Sequence, residues 1–103
     1  MIIRSRAPLR IGLAGGGTDV SPYSDIYGGY VLNGTIDRYA YTTIKTRKED
    51  SVKFISRDLQ LEKIVNITDS FIRDGVLDLH TELYKVMMER YNNSNFIPLE
   101  IST

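Results

Sequence analysis

The sequence predicts an α+β fold, a mixed or antiparallel sheet with helix on one face. Three observations carry this. Residues 30–46 are crowded with Val, Ile, Thr and Tyr, the strand formers. Residues 78–91 repeat their apolar positions with helical spacing. Residues 96–102 alternate apolar and polar again. The order is strand, strand, loop, three strands, helix, strand, which suits one layered domain.

At the start, residues 2–6 and 9–14 read as two strands separated by a break at Pro8. Ile11 and Leu13 share one face, with Arg10 and Gly12 on the other. Gly15-Gly16-Gly17-Thr18-Asp19 then stops the pattern, because three successive glycines are costly in an element interior. Residues 21–27 suit one or two helical turns begun near Asp19 or Ser21, with Pro22 in the first turn and Gly28-Gly29 as the end. Asn33-Gly34 and Asp37 suggest a bend or bulge in the long strand region. The charged turn 47–51 returns residues 52–56 as an antiparallel hairpin partner, and Ile64, Val65 and Ile67 mark a further short strand. In the helix, Leu79, Leu83, Val86 and Met87 form one face, with Asp74 or Asp78 as the cap. Leu99 and Ile101 share one face of the last strand, Glu100 and Ser102 the other.

A length of 103 residues fits one domain with a modest core. Thirteen basic and thirteen acidic residues cancel, so no net field draws the chain to nucleic acid or an anionic membrane. The absence of cysteine excludes disulfides and thiolate metal sites. No apolar run approaches the ~20 residues of a spanning helix, and the start has no signal-peptide pattern. The expected location is cytoplasmic.

The chemistry concentrates in residues 7–19, where a strand delivers a glycine loop and then a carboxylate. Glycines let a ligand approach the backbone, and exposed N–H groups in such a loop hold anions or hydroxyls. Asp19 is suited to accept two hydrogen bonds from vicinal hydroxyls, and Arg10 offers a planar fork to phosphate. A plain turn whose Asp19 caps the next helix explains the same residues equally well. The loop is neither a Walker P-loop, since no Gly-Lys-Ser/Thr follows, nor a dinucleotide fingerprint.

The segment resembles the first signature of the GHMP small-molecule kinases. In galactokinases that stretch reads Gly-Arg-Val-Asn-Leu-Ile-Gly-Glu-His-Thr-Asp, with which Arg10, Gly15, Thr18 and Asp19 are in register. Gly16 and Gly17 replace the Glu-His pair, as in the branch containing D-glycero-D-manno-heptose 7-phosphate kinases and fucokinase-like enzymes. Pro22-Tyr23, residues 28–33 and residues 36–41 continue the pattern. The resemblance implies the amino-terminal half of such a kinase, a fold similar to a ribosomal-protein domain. It implies Arg10 near the phosphoryl-accepting hydroxyl as a catalytic residue. It implies Gly16, Gly17, Thr18, Asp19 and Tyr23 against the sugar, and ATP with Mg²⁺ as cofactors. The implied reaction phosphorylates the anomeric hydroxyl of a heptose 7-phosphate. The family's ATP-phosphate loop, Pro-x-x-x-Gly-Leu-Gly-Ser-Ser-Ala-like, has no counterpart here; Gly75 is the last glycine, and residues 96–103 resemble the strand that leads into that loop. The chain is thus expected to be residues 1–103 of a longer kinase, inactive alone, with open sheet edges that favour a homodimer.

Other candidates have plainer readings. Tyr23, Tyr27, Tyr30, Tyr39 and Tyr41 follow the glycine loop, as half-buried strand tyrosines or as sugar-stacking rings, Tyr23 first among them. His80 stands alone, without a second ligand for a metal. Met87-Met88 reads as core filler, and Asp37 as either a bend residue or a partner of Arg10. The alternative to a kinase is a non-catalytic domain that binds a small ligand or a partner through the same loop.

Overall fold

The structure, a computed structural model, describes all 103 residues. Its elements are β1 (Ile2–Ala14), α1 (Tyr23–Tyr27), β2 (Leu32–Thr46), β3 (Ser51–Ser56), β4 (Leu61–Asn66), α2 (Asp78–Tyr91) and β5 (Leu99–Ser102). The strands form one sheet in the order β1-β2-β5-β3-β4. β5 is antiparallel to β2 and parallel to β3, while β3 and β4 are antiparallel, so the sheet is mixed as the α+β reading expected. Two compact units divide the chain, residues 6–40 in one and residues 1–5 with 41–103 in the other.

The unit of residues 1–5 and 41–103 holds the core. Val52, Phe54, Leu77, Tyr84 and Leu99 are buried there. Phe54 and Val52 are fully enclosed, as expected for the strand flanked by β5 and β4. Phe54, Phe71, Tyr84 and Phe96 form an aromatic cluster with centroid separations of 5.1 to 5.9 Å. The buried Tyr84 hydroxyl donates to the Ile97 carbonyl at 2.7 Å and accepts from the Ile97 N–H at 3.0 Å, so the ring is apolar filler with a satisfied polar tip.

Several sequence expectations change here. β1 runs unbroken through Pro8, because β1 is an edge strand, where a missing N–H need cost no ladder bond. β2 likewise continues through Asn33-Gly34 and Asp37 without a break. β3 does not pair with β2; β5 enters between them, with Phe54 opposite Ile101 and Ile44 opposite Ile101 on the other side. The hairpin is β3–β4, with Val52 opposite Val65.

The face of α2 built from Leu79, Leu83, Val86 and Met87 is exposed, and the buried residues are Thr81 and Tyr84, with Leu77 just before them. The aromatic cluster selects that side, since Tyr84 meets Phe54, Phe71 and Phe96. Neither aspartate caps α2. Its N-cap is Leu77, in the left-handed region at φ 51°. Asp78 accepts instead from the N–H groups of Asp74 and Gly75, and Asp74 from that of Val76. Lys63 joins the group at 2.8 Å from Asp74 and 3.8 Å from Asp78.

Candidate functional site

The candidate residues Arg10, Gly16, Gly17, Thr18, Asp19 and Tyr23 all lie in the unit of residues 6–40. No residue of this unit is buried. β1 ends at Ala14, and Gly15 turns the chain at φ 80°, a value open to glycine at no steric cost. Gly17 adopts φ 89°. The turn closes with the Thr18 N–H donating to the Gly15 carbonyl at 3.1 Å.

The Thr18 hydroxyl ties this turn to the segment before β2. It lies 2.7 Å from the Gly15 carbonyl and 3.0 Å from the Tyr30 carbonyl, and accepts from the Tyr30 N–H at 3.2 Å. One hydroxyl proton serves one of the two carbonyls at a time. The approach is close enough to demand glycine twice. A Cβ on Gly15 would stand 1.9 Å from the Tyr30 oxygen, and one on Gly29 2.2 Å from the Thr18 oxygen. Beyond its place in the resembling segment 28–33, Gly28-Gly29 is expected only as a helix end. Gly28 alone performs that task, at φ 71° with its N–H on the Ser24 carbonyl. The second glycine was the available sign of a close approach.

Asp19 is exposed and does not cap α1. The N-cap is Pro22 without a side-chain bond, and Ser21 hydrogen-bonds to Asp25 inside this short helix. That removes the reading of Asp19 as a helix cap. Arg10 is exposed on β1 and Asp37 is exposed on β2, and no ion pair joins them. The ring of Tyr23 is half exposed and packs on Tyr27 at 5.1 Å. Arg6 lies over the Tyr39 ring at 4.8 Å. Gly16 faces open space, as does Gly17. The arrangement is a hydrogen-bonded glycine turn with an exposed carboxylate at its end and a guanidinium on its entering strand. It suits hydroxyl and phosphate groups of a small polar ligand.

The other unit contains an apolar groove of about 320 Å³ lined by Ile44, Leu83, Met87, Leu99 and Ile101, with His80 at 3.0 Å from Thr103. It carries no charged chemistry. No helix is long and apolar enough to cross a membrane.

The mixed sheet matches the fold of the amino-terminal domains of GHMP-type small-molecule kinases. Lactococcus lactis galactokinase in complex with galactose shares it, with a TM-score of 0.68 at 21% identity over 98% of this chain and 25% of that one. Within the class, the chain is homologous to heptose phosphate kinases. It is 37% identical over 100 residues to the D-glycero-alpha-D-manno-heptose 7-phosphate kinase of Campylobacter jejuni, covering 97% of this chain and 29% of that protein. It is 40% identical, with a TM-score of 0.83, to a D-glycero-D-manno-heptose 1-phosphate kinase from Bacteroides thetaiotaomicron, covering 99% of this chain and 33% of that one. The chain thus spans about a third of the length of these relatives. No protein-family profile matches it.

Proposed function

We propose that this chain is the sugar-binding portion of an ATP-dependent sugar-phosphate kinase, the first part of that enzyme's amino-terminal domain. The supporting observation is Asp19, an exposed carboxylate on a glycine turn that no helix cap claims, in a chain 37% identical to a heptose 7-phosphate kinase. The acceptor is a heptose 7-phosphate, phosphorylated at its anomeric hydroxyl. Asp19 accepts hydrogen bonds from vicinal sugar hydroxyls. Arg10 neutralises charge that develops at the accepting oxygen. Gly16 and Gly17, open on their outer side, let the sugar lie against the backbone.

ATP with Mg²⁺ supplies the phosphoryl group in this reading. The residues of this chain fit the acceptor side of such a reaction: its glycine turn leads into a five-residue helix without the serine-rich phosphate loop. The transferred phosphoryl forms a bond to the sugar oxygen as its bond to the departing ADP breaks, and the hydroxyl proton is lost. This reading assigns the proton's acceptor and the ATP-phosphate loop to other residues of the kinase, since none of these 103 residues matches that loop. The 103 residues alone are then expected not to transfer phosphate.

The test is a hybrid in which this chain replaces the matching segment of the Campylobacter jejuni enzyme. The relatives' names differ in the position of the phosphate already present, so both heptose 7-phosphate and heptose 1-phosphate are assayed with ATP. Turnover of the 7-phosphate, reduced at least about tenfold in kcat/KM by Asp19→Ala, is expected. An Asp19→Ala hybrid as active as its parent would remove the carboxylate from the site, and an active hybrid that takes only the 1-phosphate would correct the substrate.

A further inference from the structure

We infer that Thr18 serves this site as a clamp, not as a ligand contact, and that what it clamps is a second wall, Gly28–Tyr30, which presents the Tyr30 ring to the sugar. This deepens the kinase reading and rests on it for the identity of the ligand. The clamp itself rests on geometry. The Thr18 hydroxyl spends its proton on the Gly15 or the Tyr30 carbonyl and one lone pair on the Tyr30 N–H, leaving little for a ligand. These bonds hold two backbone segments twelve residues apart in direct contact, with room for no Cβ at Gly15 or Gly29.

Tyr30 is thereby fixed beside the turn that carries Asp19, while its side chain remains 90% exposed. An aromatic ring held at its backbone and left open to water is a ready platform for the apolar face of a pyranose, with the phenol free for a hydroxyl. Tyr23, first among the candidate stacking rings, packs on Tyr27.

The experiment is NMR on the 103-residue chain and three variants, Thr18→Val, Thr18→Ser and Tyr30→Phe. The clamp predicts a protected Tyr30 amide whose exchange quickens at least roughly tenfold in Thr18→Val and is restored in Thr18→Ser. Equal exchange in wild type and Thr18→Val would overturn it. Titration with D-glycero-D-manno-heptose 7-phosphate then reads the wall. Shifts of the Tyr30 ring together with residues 15–19, retained in Tyr30→Phe, support it. Shifts of the turn and the Tyr23 ring without the Tyr30 ring would overturn the wall and leave the sugar-binding reading intact. No shift anywhere in residues 15–30 would count against both the wall and the sugar-binding reading, while leaving the clamp to stand on exchange alone.

Discussion

Gly16 and Gly29 look alike in the sequence and have opposite physical situations. A methyl on Gly29 would meet the Thr18 carbonyl carbon at 2.7 Å and its oxygen at 2.2 Å, backbone atoms that cannot swing aside. A methyl on Gly16 would meet nothing within 4 Å. Gly29→Ala should therefore push residues 28–30 off the turn at a cost of about 1–3 kcal/mol, read as faster exchange of the Tyr30 amide and a lowered melting midpoint. Gly16→Ala should leave stability within about 0.5 kcal/mol, so any loss of sugar affinity it causes reports contact with the ligand. Equal stability of the two variants would show that the approach of the two segments is looser than the structure has it. The glycine run was visible in the sequence, and so was Asp19. The partner of Thr18 was not, because a hydroxyl beside a glycine run carries no sign of an amide twelve residues on.

At the level of elements, the segment entering α2 is held by ionic contacts in place of a cap. The Lys63 ammonium beside Asp74, together with the Val76 N–H, holds the Asp74 carboxyl below its ordinary value of 3.8. A carboxylate whose folded pKa is depressed contributes stability above its unfolded pKa, and loses it as pH falls through the lower folded value. The segment 72–78 should thus loosen below about pH 3.8, detected as a loss of Val76 amide protection, relative to the intrinsic exchange rate at each pH, between about pH 4 and pH 2. Lys63→Met should remove most of that pH dependence. An unchanged profile in Lys63→Met would assign the effect elsewhere. The helix itself was legible from its spacing, within the bounds observed, but its inward side was not. Spacing counts apolar residues, and Leu79, Leu83, Val86 and Met87 outnumber the positions that the aromatic cluster actually covers. The same limit applies to β5. Its alternation was plain in the sequence, whereas its insertion between β2 and β3 is a long-range pairing that no local pattern encodes.

Across the whole molecule, apolar surface is left uncovered and two sheet edges are open. Ile11 and Leu13, which share one face of β1, are 51% and 66% exposed. The sheet ends in β1 on one side and β4 on the other. Open edges pair with other chains unless charge, proline or a bulge discourages it. β1 carries Pro8, which removes one donor from that edge. β4 has no proline and exposes Ile64 by 61%, although Glu62 stands in the same strand. We therefore expect the isolated chain to self-associate, and through β4 in preference to β1. Sedimentation velocity across a hundredfold range of concentration should show a rising coefficient, reduced by Ile64→Lys, which adds an edge charge without touching the buried Val52 or Phe54. A coefficient independent of concentration would mean that the open edges do not pair. A rise that Ile64→Lys leaves unaltered would direct attention to β1 and the apolar row of Ile11 and Leu13.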